Sequence, residues 1–336
     1  MVSRRALKRL RPGTQRRKLM LGVASFAVLQ AAPLRLPAQP LPNAPVIGML
    51  DGGKRLSWWN AFRQGMSELG YVERKSVLYE PRYAAGHLDQ LRALAEDLVR
   101  RPVSVIVTAS QVAALAARRA TDRIPIVTGT GAHHVSYGLA ATLAHPGGNV
   151  TGLSTLATDL TEKRLELLRE IFPKLSRLAV LWQSDNPGST EQFRDLERAT
   201  AATKIALQNV GIRKVGELSG AFSAAAKAQA QALYVIGGPL TMDEQAQIDA
   251  LARSHKLPMV HSISSRESLL SYGVHYEDLF RRAAGYVDRI LKGAKPGDLP
   301  IEQPTKFQLV INAKTARTLG VTIPQPMLLR ADRVIE

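Results

Sequence analysis

Four hydroxyl side chains occur in two pairs, and the members of each pair are two residues apart. Because each pair follows a predicted strand, these hydroxyls could donate hydrogen bonds to an anionic ligand. Thr108 and Ser110 follow one apolar segment, and Thr128 and Thr130 follow another. Each segment is typical of a buried strand. Loops after parallel strands expose backbone amides and helix N-termini, which favour anions. The alternative for Thr108 and Ser110 is that they only cap the next helix.

Two adjacent histidines, His133 and His134, follow Thr130 and could supply acid–base or metal chemistry. Consecutive side chains seldom converge on one ion, and no further ligand follows at a suitable spacing, so we predict no metal site. Residues 128–133 begin a dinucleotide-binding pattern, but its third glycine is missing. The sequence contains no P-loop and no Gly-x-Ser-x-Gly motif. We therefore predict no cofactor and no enzymatic activity.

Carboxylates and large aromatic side chains form a second set of candidates. Asp51, Asp185 and Asp243 lie near predicted strand ends and could pair across a cleft as acid and base, although a solvated loop carboxylate is the commoner state. Trp58 and Trp59 begin a predicted helix, and tryptophan occurs only three times in the chain. One of the two could face a cleft and stack on a planar ligand, with core packing of both as the alternative.

These candidates require a scaffold, and the apolar pattern predicts alternating strands and helices from residue 46 to residue 319. The helices include residues 111–120 and a single helix over residues 242–253. Such regular alternation indicates an α/β protein with parallel sheets and helices on both faces. The 336 residues are enough for two domains.

The first 38 residues are predicted to be a cleaved export signal. They carry nine basic residues and no acidic one, and they include an apolar run over residues 19–32 that is too short for a membrane span. Residues 3–8 are similar to a twin-arginine signal, with the general secretory route as the alternative.

Removal of the nine basic residues would lower the net charge from +17 to +8, which argues against a nucleic-acid partner. The absence of cysteine excludes disulfides and thiolate sites.

Three segments resemble the substrate-binding proteins of ABC transporters. The longest covers residues 303–336 and begins Gln-Pro-Thr-Lys-Phe-Gln-Leu-Val-Ile-Asn-Ala. The others are Pro-Gly-Gly-Asn-Val-Thr-Gly at 146–152 and Phe-Arg-Gln-Gly-Met-Ser-Glu-Leu-Gly-Tyr-Val-Glu at 62–73. The resemblance covers the chain from about residue 45 and is to the branch that includes tryptophan and other aromatic amino acid binders.

This resemblance implies the type I periplasmic-binding-protein fold, in which two Rossmann-like lobes with parallel sheets are joined by three crossovers. The crossovers would lie near residues 150–155, 272–274 and 304–307. Lobe 1 would comprise residues 45–153 and 274–304, and lobe 2 residues 154–273 and 305–336.

The resemblance also implies a monomeric periplasmic protein that captures a small solute by hinge closure and hands it to an ABC permease. The solute would be an aromatic amino acid or a related aromatic or carboxylate compound. A ligand-sensing partner of a membrane receptor and a cleft enzyme with Asp185 or His133 as base are the alternatives. The predicted ligand-binding residues are Asp51, Trp58, Thr108, Ser110, Thr128, Thr130, His133, Asp185, Asn186, Gly238 and Tyr272.

The sequence departs from the family pattern at the predicted ligand loop. Many members carry Ser-Asp-Pro where Ala132, His133 and His134 stand here. An aspartate there could pair with a ligand ammonium group, whereas an imidazole can do so only when it is neutral and accepting. We therefore predict that His133 favours an anionic or neutral aromatic solute. The four hydroxyl side chains after the two strands would donate to its carboxylate.

Overall fold

The structure is a computed structural model that describes residues 44–155, 159–201, 203–263, 265 and 267–336. The expected export signal lies outside these residues. None of the helices in the described ranges is both long and apolar enough to cross a membrane.

The first sheet has five strands, and every neighbouring pair in it is parallel. Its strands are β1 (Val46–Asp51), β2 (Leu78–Tyr83), β3 (Val105–Thr108), β4 (Ile126–Thr128) and β5 (Val150–Gly152). They lie in the order β2-β1-β3-β4-β5. Because all strands run the same way, their carboxyl ends and the loops after them share one edge.

The second sheet has seven strands in the order β12-β11-β10-β9-β8-β6-β7. They are β6 (Arg177–Leu181), β7 (Ala206–Asn209), β8 (Ala232–Val235), β9 (Met259–His261), β10 (Ser268–Gly273), β11 (Gln308–Asn312) and β12 (Arg333–Ile335). Only β10 and β11 pair in antiparallel fashion.

Eleven α-helices are assigned in the described residues, and they cover both faces of each sheet. They are α1 (Leu56–Glu68), α2 (Leu91–Val99), α3 (Gln111–Ala120), α4 (Asp159–Ile171), α5 (Pro187–Ala201), α6 (Leu218–Lys227), α7 (Pro239–Asp243), α8 (Gln245–Ser254), α9 (Tyr276–Leu291), α10 (Ala313–Leu319) and α11 (Gln325–Arg330). Four buried apolar clusters fill the layers, two for each sheet.

The chain passes between the two sheets three times. It leaves the first sheet after β5, returns after β10 so that α9 packs on α1, and joins the second sheet again at β11. Gly65 permits the close approach of α1 and α9, because a Cβ there would lie 2.5 Å from the carbonyl oxygen of Arg281. The predicted α/β class with three crossovers is confirmed, whereas the residue boundaries of the two lobes stay a prediction.

Two local predictions were wrong. The helix expected over residues 242–253 is two helices, α7 and α8, because the backbone at Glu244 (φ −93°, ψ 19°) interrupts the helical path. No regular element was predicted beyond Leu319, yet α11 and β12 follow. The three residues of β12 are too few to show a pattern, and β12 is defined by its parallel pairing with β11.

Candidate functional site

A cavity of about 80 Å³ lies between the loops at the carboxyl ends of the two sheets and is called the inner cavity below. The loops after β3 and β4 line it on one side, and those after β6 and β8 on the other. Six of the residues predicted to bind a ligand are among its lining residues: Trp58, Ser110, Thr130, His133, Asn186 and Gly238.

Arg55, Trp58, Met242 and Tyr276 form a wall of the inner cavity, and the same four residues line a neighbouring cleft of about 730 Å³, called the outer cleft. The rings of Trp58 and Tyr276 are stacked, with centroids 4.3 Å apart and planes 9° apart. The guanidinium carbon of Arg55 lies 4.7 Å from the Trp58 ring centroid, a cation–π distance. This aromatic wall combines two stacked rings with a positive charge, and Trp58 itself is only 6% exposed.

Asp51 supports the wall from behind. It is fully buried at the end of β1, forms an ion pair with Arg55 and accepts a hydrogen bond from Trp59 Nε1 at 3.1 Å. It lines neither cavity, so the structure gives it a positioning role for Arg55. Burial lowers the pKa of Arg55 to about 10, so the guanidinium remains charged at neutral pH.

The N-terminus of α3 presents polar groups to the inner cavity. Ser110 caps this helix, and its hydroxyl accepts from Ala113 N at 3.3 Å. The first residue of the helix, Gln111, accepts from Ala132 N at 2.9 Å through Oε1. Its Nε2 is buried and has no hydrogen-bond partner in the described part of the chain. Ser110 therefore both caps the helix and lines the cavity.

The loop after β4 brings His133 to the inner cavity in a conformation that non-glycine residues seldom adopt. Its φ is +57°, in the left-handed region. The Nε2 atom of His133 is buried without a hydrogen-bond partner among the described residues. An imidazole nitrogen in this state can donate to or accept from a ligand, depending on its tautomer.

His134 points away from the cavity and into the first sheet. Its Nε2 lies 3.1 Å from Thr128 Oγ1, and that hydroxyl has the carbonyls of Thr151 and Leu153 within 3.2 Å and 3.0 Å as acceptors. Burial lowers the pKa of His134 to about 4, so the ring is neutral at physiological pH. The two adjacent histidines therefore have different surroundings. No group of three or more potential metal ligands is found in the described residues.

Loops of the second sheet form the opposite side of the inner cavity. Asn186 Oδ1 accepts from Gly188 N at 3.0 Å at the start of α5. Gly238 precedes α7, and a Cβ there would lie 3.0 Å from Ser189 Oγ and 3.2 Å from Asn186 Nδ2. Gly238 therefore allows the loops after β6 and β8 to approach each other.

Hydrogen bonds join the loops of the two sheets directly. The backbone N–H of Lys54, after β1, donates to both carboxylate oxygens of Asp243 in α7, at 3.0 and 2.8 Å. Gln183, after β6, donates through Nε2 to the Gly86 carbonyl at 3.3 Å and accepts from Leu240 N at 3.0 Å. The structure thus has the two lobes in contact.

Besides Asp51, four predicted site residues lie away from the inner cavity. Thr108 and Thr128 are fully buried in adjacent strands, where Thr128 satisfies carbonyls of the chain around β5. Asp185 is exposed and lines a separate pocket beside α2 and α3. Tyr272 packs near Phe307, with ring centroids 6.1 Å apart, and its carbonyl accepts from Arg164. Asp185 therefore does not join Asp51 and Asp243 in the acid–base grouping considered from the sequence.

The lining residues that were not predicted from the sequence include Arg55, Gln111, Gln192 and Tyr276. Arg55 immediately precedes the tryptophan pair, and Gln111 follows Ser110, so proximity to selected residues was an available signal. Tyr276 begins α9 and reaches the cavity through the packing of that helix on α1. No local pattern indicates this long-range contact.

Comparison with known sequences gives one family and one curated relative. A family model described as ABC transporter substrate binding protein matches residues 44–335. The Tyrosine-binding protein of Clostridioides difficile strain R20291 is 25% identical over 263 residues, which cover 77% of this chain and 75% of the relative.

Two solved structures are similar over nearly their whole length. A conserved domain protein from Vibrio cholerae is 27% identical, with a TM-score of 0.79, over 87% of this chain and 99% of that chain. An ABC domain from Streptococcus pneumonia in complex with L-Trp is 23% identical, with a TM-score of 0.78 and the same coverage. With the two observed sheets, these similarities confirm the predicted type I periplasmic-binding-protein fold.

Proposed function

The chain belongs to the ABC transporter substrate-binding protein family, and from this premise we propose that it captures a small solute between its two sheets and delivers it to an ABC permease. We propose an aromatic amino acid or a related aromatic or carboxylate compound as the solute. The observation that carries this proposal is the stacked pair Trp58 and Tyr276 beside the Arg55 guanidinium, since a flat ring and a carboxylate match these surfaces.

The relatives support the aromatic class. One is named a tyrosine-binding protein, and another was solved in complex with L-Trp. We propose that the solute contacts Trp58, Ser110, Thr130 and His133 on the first lobe. On the second lobe, Asn186 and the loop at Gly238 would cover it.

Hinge closure is the proposed mode of capture. Three connections join the two sheets, and the cavity is lined from both sides, so separation of the sheets would open it. We place the lobe boundaries as the family resemblance implies, with residues 45–153 and 274–304 in lobe 1 and residues 154–273 and 305–336 in lobe 2.

We propose a periplasmic location for the protein, after removal of an export signal at residues 1–38. Proteins of this family act outside the cytoplasm, which supports this placement. The mature protein would act as a monomer that meets its permease at the inner membrane.

Native mass spectrometry of the purified protein tests solute capture. We expect a copurified small aromatic molecule that denaturation releases unchanged, because a binding protein does not alter its ligand. Release of a chemically converted product after incubation with a metabolite mixture would instead indicate an enzyme.

A pair of tryptophan variants tests the site. Trp58→Leu should weaken binding of that molecule by about tenfold or more, because its ring contact is lost. Trp182→Leu is the matched control, since Trp182 also stacks on an aromatic ring, Phe193, at 4.8 Å but does not line the inner cavity. Equal affinity for both variants in calorimetric titration would contradict the proposed site.

A further inference from the structure

We infer that the inner cavity binds a carboxylate group through Gln111 and Arg55, and that it selects aromatic carboxylates without an α-ammonium group over the corresponding amino acids. The inference rests on the proposed capture of an aromatic solute and specifies its chemistry. Three features of the cavity carry it, namely an unpaired amide donor, a partly free guanidinium group and the charges of the lining residues.

The first feature is the fixed orientation of the Gln111 amide. Only the oxygen of a side-chain amide can accept a hydrogen bond, so the N–H of Ala132 at 2.9 Å identifies that atom as Oε1. The NH₂ group is therefore the buried atom without a partner in the described residues. Gln111 is only 8% exposed, and a buried donor without a partner is costly. A ligand oxygen in the cavity would satisfy it.

The second feature is that this donor lies near two sources of positive charge, the N-terminus of α3 and the Arg55 side chain. Gln111 is the first residue of α3, a ten-residue helix whose N-terminus faces the inner cavity. The partial positive charge of a helix N-terminus favours an anion. Arg55 also lines the cavity and engages Asp51 through Nε and Nη2, whereas the Met242 sulfur, at 3.9 Å, is the only hydrogen-bond partner of Nη1 among the described residues. The Nη1 group is thus available to a carboxylate.

The third feature is the distribution of acidic side chains. None of the described residues that line the inner cavity is acidic. Asp51 lies behind Arg55, Asp243 lines the outer cleft and accepts from Lys54 N, and Asp195 is paired with Arg198. A ligand ammonium group in the inner cavity would lose its hydration without gaining a charged partner there.

Calorimetric titration with matched ligands tests the inference. L-phenylalanine, 3-phenylpropanoate and 2-phenylethylamine share one ring and differ only in the charged groups. We expect 3-phenylpropanoate to bind about tenfold or more tightly than L-phenylalanine, since the ammonium group loses hydration in the cavity. We expect no measurable binding of the amine. The same order should hold for indole-3-propanoate and L-tryptophan.

The variant Gln111→Glu tests the assigned donor. Glutamate retains an oxygen to accept from Ala132 N, but replaces the NH₂ donor by a negatively charged oxygen. We expect the affinity for 3-phenylpropanoate to fall by about tenfold or more, because a charge-assisted donor is replaced by a repulsive group. Gln90→Glu is the matched control, because Gln90 is exposed and does not line the inner cavity.

The outcomes separate this inference from the proposed function. Tighter binding of L-phenylalanine or L-tryptophan than of the matched carboxylates would overturn the inference and leave solute capture intact. Unchanged affinity of Gln111→Glu for the carboxylate would overturn the role of Gln111. Failure to bind any aromatic compound of either class would overturn the proposed aromatic solute, and with it the inference.

Discussion

Two buried histidines have protonation behaviour set by their surroundings. Burial lowers the pKa of His134 to about 4 and that of His261 to about 3, with smaller contributions from His133 and Arg164, respectively. His134 lies beside the end of β4, and His261 is the last residue of β9. Both side chains therefore stay neutral in the folded protein. His134 lies at the first sheet and His261 in the second.

The depressed histidine pKa values predict that the protein loses stability as the pH falls from about 6.5 towards 4. In this range the unfolded chain binds protons at these histidines and the folded protein does not, so acid favours unfolding. Each pKa unit corresponds to about 1.4 kcal/mol, which makes the His134 contribution on the order of 3 kcal/mol. Urea unfolding at several pH values measures this slope.

The variant His134→Gln isolates the contribution of His134. A glutamine amide can donate towards Thr128 Oγ1 but does not titrate. We expect a shallower dependence of unfolding free energy on pH than in the unsubstituted protein. An unchanged slope between pH 6.5 and 4 would contradict the proposed neutral state of His134.

The position of a residue after a strand indicates the edge of the sheet at which it lies but not the direction of its side chain. A position after a strand places a residue near the ligand-binding edge, and this was enough for Ser110, Thr130 and His133. Thr128 follows the same pattern, yet its hydroxyl is used by carbonyls of the chain around β5. Such a contact between segments distant in sequence leaves no local pattern.

Among the elements, β4 and β5 are adjacent strands in which Gly152 lies opposite Thr128. Gly152 has φ +126°, and a Cβ on it would lie 2.3 Å from the Thr128 carbonyl oxygen and 2.6 Å from Thr128 N. The same segment carries the chain out of the first sheet, since Leu153 N donates to the Thr128 carbonyl at 2.7 Å. Backbone atoms cannot move aside as a flexible side chain could.

We predict that Gly152→Ala destabilises the protein by roughly 3 kcal/mol, because it adds both backbone strain and a clash with backbone atoms. Gly148→Ala is the matched control in the same segment. A Cβ at Gly148 has no heavy atom within 4 Å, so we expect a change within about 0.5 kcal/mol. Thermal unfolding of both variants tests this, and equal melting temperatures would contradict it.

Most elements could be predicted because burial imposes a period on the sequence. The bounds of α3, Gln111–Ala120, agree with the helix predicted over residues 111–120, and Ser110 caps its start. The break between α7 and α8 was missed because the apolar pattern continues through it, while Glu244 adopts a non-helical backbone. The apolar period shows which face of a helix is buried, but it does not show where one helix ends and the next begins in another direction.

At the scale of the whole molecule, the contact between Asp243 and Lys54 N joins the two lobes. Burial raises the pKa of Asp243, an effect that outweighs the opposing effect of the Lys54 backbone hydrogen bond. The contact therefore combines favourable hydrogen bonds with the cost of burying a charge. A neutral acceptor at the same position would keep a hydrogen bond and avoid that cost.

This balance predicts the pH dependence of closure. In the proposed hinge opening, separation of the lobes would expose this carboxyl group to water and return its pKa towards the ordinary value, so we expect the closed molecule to bind protons more readily than the open one. Its protonation therefore favours closure as the pH falls, and this contribution is lost as the pH rises through the raised pKa. Small-angle X-ray scattering of the ligand-free protein should show a smaller radius of gyration at acidic than at neutral pH, within the range where the protein stays folded.

Variants at position 243 separate the hydrogen bond from the charge. Asp243→Ala removes the acceptor, and a hydrogen bond to a charged group contributes about 1.5–3 kcal/mol, so the balance should shift towards the open state by roughly tenfold or more. Asp243→Asn keeps a neutral acceptor and should remain at least as closed as the unsubstituted protein, with a weaker pH dependence. Glu244→Ala is the matched control, because Glu244 also lines the outer cleft but lies outside the contact with Lys54. If Asp243→Ala and Glu244→Ala scatter alike in the absence of ligand, the contact between Asp243 and Lys54 does not hold the lobes together.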